Sequence, residues 1–216
     1  TPFCRSFLDS LRCRRKVRPP GSINSIRSFV LQTEDDGTRP VPMLLLMDAV
    51  QPADISVVVF TVSDRSAAGE REDRSGPAAT VALREAGFEA ISSAVITDGQ
   101  EVVESALEDA IEAGSDLILT LGGTGVGPRD ETPEGTLARI GAELPGIAEG
   151  LRSTAAASIP TAVLSRGLAG ISKPSSSGHR AVIVNLPGST GGARDGVEYL
   201  APIVPHLIDQ LSGGDH

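Results

Sequence analysis

The chain has 216 residues, 40% of them hydrophobic but only 3% aromatic and none Trp, so its core rests on Val, Ile, Leu and Ala. Its net charge of −9 is uneven: residues 1–50 carry eight Lys/Arg against five Asp/Glu, the remainder eleven against twenty-three. An acidic body lacks the basic surface that nucleic-acid binding needs, no apolar run reaches membrane-spanning length, and both cysteines, Cys4 and Cys13, precede the body. The body therefore has neither a disulfide nor a thiolate metal site, which fits a cytoplasmic setting.

Residues 1–50 differ in character from the rest of the chain. Arg12-Cys-Arg-Arg-Lys-Val-Arg18 and then Pro19-Pro20-Gly21 make a basic cluster and a breaker, and residues 34–42 are polar and turn-rich. Three readings stand: a flexible tail, an Arg- and Ser-rich targeting segment, or sequence upstream of a native start at Met43 or Met47. Seventeen Arg against two Lys is the bias of a GC-rich bacterial genome and favours the third over the second. The expectation is a disordered tail or non-native extension.

From Asp54 strands and helices alternate. Residues 55–62 are a near-continuous β-branched run, a buried first strand, followed by a polar loop at 64–73 and a small-residue helix at 75–86 that Gly87 ends. Residues 89–96 read as a second strand. Residues 100–113 form an amphipathic helix, with Val102, Val103, Ala106, Leu107, Ala110 and Ile111 on one face. The run at 116–121 is a third strand, buried on both faces. Helices are predicted at 134–140 and 146–157, a short strand at 161–164, a Ser-rich loop at 170–178, a buried strand at 181–186, and a closing helix at 195–211 bent or broken at Pro202 and Pro205. The alternation predicts a three-layer α/β/α domain over residues 54–213: a mostly parallel sheet, helices on both faces, and ligands beyond the strands' carboxyl ends.

The most informative stretch lies at one such end: Leu121-Gly-Gly-Thr-Gly-Val-Gly-Pro-Arg-Asp-Glu-Thr-Pro-Glu134. Glycines there let backbone N–H groups approach a ligand, and exposed amides favour an anion. Arg129 adds a cation and Asp130 a carboxylate, a combination suited to a phosphate and a metal. Thr132 is a candidate N-cap with Pro133 at the first helical position. Neither standard phosphate loop fits: Pro128-Arg129 stand where Walker A needs Lys-Ser/Thr, and Pro128 stands where a dinucleotide fingerprint needs Gly or Ala. The plain alternative is a connecting turn, which needs neither the Arg-Asp pair nor four glycines. Other strand ends carry Thr61-Val-Ser63-Asp64-Arg65, Thr97-Asp98-Gly99, Ser165-Arg166 and Asn185-Leu-Pro187-Gly188-Ser189. Asp98 taken alone reads equally as a turn residue or a ligand. His179, His206 and His216 lack metal-ligand spacing and read as surface or terminal residues.

Six segments in order carry a resemblance: Thr61–Arg65, Gly122–Gly125, Arg129-Asp-x-Thr-Pro-Glu134, Leu144-Pro-Gly146, Leu164-Ser-Arg166 and Asn185–Ser189. Together they resemble the MoCF-biosynthesis domain family, and within it the MogA/MoaB-type molybdopterin adenylyltransferases; nothing in the resemblance covers residues 1–50. It implies transfer of AMP from Mg-ATP to the terminal phosphate of molybdopterin, with pyrophosphate released before molybdenum insertion. By motif it implies Asp98 and Asp130 as the essential carboxylates, holding Mg²⁺ or orienting the attacking phosphate. Gly122, Gly123, Thr124 and Gly125 would offer amides to phosphates, with Arg129 as a charge clamp. Ser63, Asp64, Thr132, Glu134, Ser165, Arg166, Pro187, Gly188 and Ser189 would line the pterin-phosphate and nucleotide site. A homotrimer and a molybdenum-insertion partner protein are implied, with neither nucleic acid nor membrane. One departure stands out: a basic pair expected after Gly170-Ile171 is replaced by Ser172-Lys173-Pro174, so Lys173 or Arg180 would have to substitute. The other readings are a MoaB-type molybdopterin-binding carrier or scaffold without efficient adenylylation, and an unrelated α/β phosphohydrolase.

Overall fold

The computed structural model describes residues 50–214, so the expectation for residues 1–50 lies, but for Val50, outside the described residues. A strand that is β-branched along its whole length needs cover on both faces. The sheet meets that need with the order β2-β1-β3-β6-β5-β4, where β1 is Ser56–Val62, β2 Ala90–Ile96, β3 Leu117–Leu121, β4 Ile140–Glu143, β5 Ala169–Ser172 and β6 Val182–Leu186. Strands β2, β1, β3 and β6 run parallel; β5 is antiparallel to both β6 and β4.

Side-chain alternation divides the core between two faces. Val57, Val59, Leu117, Leu119, Val182 and Val184 pack under α2 (Ser75–Glu85), α6 (Thr190–Leu200) and α7 (Val204–Leu211), with Ala148 of α5 (Pro145–Ala156). Val58, Phe60, Ile118 and Ile183 pack under Val103, Leu107, Ala110 and Ile111 of α3 (Gln100–Glu112), against which α4 (Thr132–Arg139) lies. Each such buried aliphatic side chain contributes on the order of 1.5–3 kcal/mol. The three-layer α/β/α architecture and mostly parallel sheet are as expected. Across β3 and β6 runs a buried polar bridge: Asn185 Nδ2 donates to Thr120 Oγ1 (2.8 Å) and to Thr136 Oγ1 (2.9 Å), and Leu168 N donates to Asn185 Oδ1 (3.0 Å).

Several expectations are corrected. Residues 161–164 belong to a 3-10 turn, Pro160–Leu164, with Val163 and Leu164 exposed: Pro160 presets its first φ, and no strand lies alongside to pair it. The fifth strand is instead Ala169–Ser172, at the start of the expected Ser-rich loop, held by pairing on both sides rather than by its own small residues. The loop after β1 contains the one-turn helix α1 (Asp64–Ala67), and β4 has no counterpart among the predicted strands. The closing helix is broken as predicted, with Pro205 in the first turn of its second half. His179, read as a surface residue, is half-buried with Nε2 2.8 Å from Ser115 O. Lys173 and Arg180 stand at the amino end of β6, and Lys173 Nζ donates to Ala138 O (2.8 Å). Neither stands at the carboxyl rim.

Candidate active site

Strand register assembles the rim. Thr61, Leu121 and Leu186 occupy one row across β1, β3 and β6, so the residues after them emerge side by side. Gly122 and Gly123 adopt φ of +112° and +60°; a Cβ on Gly122 would lie 2.5 Å from Val62 O, and one on Gly123 would overlap Thr132 Oγ1. Gly122 N donates to Leu186 O (3.1 Å). Beyond it, among the described residues, no hydrogen bond engages the N–H groups of Gly123, Thr124, Gly125 or Val126. Four consecutive unengaged amides at a strand's carboxyl end are the kind of donors from which an anion nest is built. The run is one residue later than the glycine spacing suggested and includes Val126, which carries no sequence signal for it.

The acidic side chains around the loop are individually tethered. Asp64 and Asp98 exchange backbone contacts: Asp64 N donates to Asp98 Oδ2 (2.8 Å) and Asp98 N to Asp64 Oδ1 (3.1 Å). Arg129 donates to both Asp64 oxygens (3.2 Å each) and to Asp98 O (2.9 Å), so it is occupied by these partners and is not a free clamp. Asp130 Oδ2 accepts from Gly127 N (2.8 Å). Among the described residues no hydrogen bond reaches Asp98 Oδ1 or Asp130 Oδ1, which leaves each carboxylate one oxygen. That donor chemistry suits Mg²⁺, which takes one or two carboxylates and completes its shell with phosphate oxygens and water. No group of three or more His, Cys, Asp or Glu able to hold a metal without a ligand's help occurs among the described residues.

Two cavities meet at the loop. A polar one of about 400 Å³ is lined by Ser63, Gly122, Gly123, Thr124, Gly125, Asp130, Pro187, Gly188 and Ser189 of the predicted set, with Arg71, Asp73 and Arg74. A mainly apolar one of about 670 Å³ shares Thr124, Gly125, Pro187 and Ser189, and adds Val126, Leu151, Ser165 and Tyr199. Ser189 caps α6 by accepting from Gly192 N (3.1 Å), which turns that eleven-residue helix's positive end toward both cavities. Asp64, Asp98, Arg129, Thr132, Glu134 and Arg166 lie beside the cavities, not in their walls. Thr132 is also not the N-cap: Glu131 holds that position, and the Thr132 Oγ1 is buried without a partner.

Sequence reading passed over the segment at 71–75. Asp73 accepts from Ser75 N, Ser75 Oγ, Gly76 N and Thr61 Oγ1, fixing the entry to α2. Arg71 beside it makes no side-chain hydrogen bond or ion pair among the described residues, a free cation in the polar cavity's wall. The only cue was a run of charges in a loop. Glu131 was likewise missed as a cap for α3: Gln100 N donates to its Oε2 (3.0 Å). Glu134 pairs with Arg166, whose hydrogen bond holds the Glu134 carboxyl below the ordinary glutamate range against an opposing effect of burial.

Fold and rim together define a mostly parallel α/β domain with two cavities sharing a glycine loop at the carboxyl edge of its sheet. Residues 58–206 match the family described as "Probable molybdopterin binding domain", and the chain belongs to that family. It is 35% identical over 162 residues to a molybdopterin adenylyltransferase of Helicobacter pylori, a match covering 74% of this chain and 89% of that one. It is 38% identical over 165 residues to a molybdenum cofactor biosynthesis bifunctional protein of Synechococcus elongatus, covering 76% of this chain and half of that protein. The solved structure of the molybdopterin biosynthesis Mog protein from Mycobacterium ulcerans is 43% identical with a TM-score of 0.66, over 73% of this chain and 99% of that one.

Proposed function

We infer that this protein is a molybdopterin adenylyltransferase, transferring AMP from Mg-ATP to the terminal phosphate of molybdopterin in molybdenum cofactor biosynthesis. The observation that carries this reading is the run of free amides at Gly123–Val126, near Asp130, where a polar cavity and a larger apolar one share Thr124, Gly125, Pro187 and Ser189 in their walls. A phosphate oxygen of molybdopterin attacks the α-phosphorus of ATP; that P–O bond forms as the α–β bridging bond breaks, and pyrophosphate leaves. Negative charge accumulates on phosphate oxygens throughout, so preorganised N–H dipoles are the relevant catalytic device. The 123–126 amides and the amino end of α6 supply them, and Arg71 adds a cation in the polar cavity. Asp98 and Asp130 would hold Mg²⁺, whose chemistry is to neutralise the triphosphate and the departing pyrophosphate. Arg129 and Asp64 hold Asp98 in place. The apolar cavity receives a flat heteroaromatic ring and excludes water.

A homotrimer is part of this reading, and light scattering of the full chain measures it. A molybdenum-insertion protein is the partner that would receive the product. No described helix is long and apolar enough to cross a membrane. Purified protein supplied with ATP, Mg²⁺ and molybdopterin tests the activity. Pyrophosphate release that requires all three is expected. Molybdopterin binding without release would identify a carrier instead, and ATP turnover without pterin a phosphohydrolase.

A further inference from the structure

Arg166 lines neither cavity, although Thr124 and Gly125, whose carbonyls it engages, line both. Its backbone N–H donates to Thr124 O (2.8 Å) and its Nε to Gly125 O (2.7 Å). Its terminal nitrogens donate to Asp130 O and to the Glu134 carboxylate. Three carbonyls of one loop thus end on one residue, and every guanidinium nitrogen already has a protein acceptor. A phosphate could reach this side chain only by displacing them.

Carbonyl and N–H point in opposite directions across a trans peptide. With the Thr124 and Gly125 carbonyls drawn to Arg166, the N–H groups of Gly125 and Val126 turn away from it, and both residues line the apolar cavity. A loop this rich in glycine meets little steric resistance to flipping such peptide planes, and a flipped carbonyl would repel a phosphate where an amide should attract it. We propose that Arg166, held by Glu134, is a positioning residue that fixes the peptide orientation of the Gly125 and Val126 amides for the oxygens of a phosphate ligand. The identity of that ligand rests on the adenylyl-transfer reading; the positioning role does not.

The test uses the full chain with Arg166→Gln, Arg166→Lys and Glu134→Gln. Hydrogen exchange in the ligand-free protein follows the bonded amides of Gly127, Asp130 and Thr132, which report loop closure. Exchange at these amides should rise at least about tenfold in Arg166→Gln and by a smaller factor in Glu134→Gln. Turnover with Mg-ATP and molybdopterin should fall about ten- to a hundredfold while the KM for ATP stays within about threefold. Lysine keeps the charge but not the fork, so Arg166→Lys should restore neither property. Unchanged exchange in Arg166→Gln, or full turnover in Arg166→Lys, overturns the proposal. If Arg166→Gln does not fold, Glu134→Gln carries the same comparison. If wild type releases no pyrophosphate, the functional reading fails while the exchange comparison still decides the positioning role.

Discussion

At the scale of single residues, the decisive property is which oxygen of each carboxylate is already engaged. Asp130 commits Oδ2 to the Gly127 amide and keeps Oδ1 clear. Asn accepts the same amide hydrogen bond, so Asp130→Asn keeps the loop's shape and removes only the charge. Turnover should fall at least about a hundredfold, with molybdopterin binding within a few-fold and stability nearly unchanged, because a transition-state contact is lost and uniform binding is not. Near-normal turnover would remove Asp130 from the mechanism and favour the carrier. Thr132 offers the opposite case. Its hydroxyl is buried and unpartnered, so Thr132→Val should leave the melting temperature unchanged or raised, whereas loss of a true N-cap would cost about 1 kcal/mol. The glycine loop and its Arg129-Asp130 pair were legible in the sequence because a connecting turn needs neither that pair nor four glycines, whereas Asp98 was legible only through the family resemblance. Arg71 and Val126 were not, since neither residue type marks a loop unless the neighbours it meets are known.

At the scale of elements, polar side chains set how strands and helices meet. Asn185 joins β3, β6 and α4 and receives the amide of Leu168 before β5. Asn185→Leu strands that amide and removes the donor to two buried threonines; a loss of about 2–4 kcal/mol in urea unfolding is expected, and a loss below about 1 kcal/mol would show that the bridge relaxes without it. The Arg166–Glu134 pair links the glycine loop to α4. Because the Glu134 pKa is lowered in the folded state, its contribution is complete above the ordinary glutamate range and disappears as pH falls through the lowered value. The stability difference between wild type and Glu134→Gln should therefore shrink on acidification; with both groups well exposed to solvent, it should stay below about 1 kcal/mol at neutral pH. A difference that grew toward low pH would contradict the pairing.

At the scale of the whole molecule, both faces of the sheet are covered by residues after Val50, and every element of the rim follows Ser56. Removing residues 1–46 should leave pyrophosphate release intact and shift the melting temperature by no more than a few degrees, about 1 kcal/mol for a domain of this size. A larger drop would show that the segment packs on the domain. The amino-acid sequence by itself determined the alternation of strand and helix, the two-sided burial of β1, β3 and β6, and the location of the glycine loop, because hydrophobic periodicity and glycine–proline punctuation are local properties. Only tertiary structure decided that residues 169–172 are a strand and 161–164 are not, since a short segment of small residues becomes a strand only where neighbours supply hydrogen bonds on both sides. It also decided that Arg129 and Arg166 face protein partners while Arg71 faces the cavity. Charge is written in a sequence, but which acceptor lies within about 3 Å of it depends on residues tens of positions away.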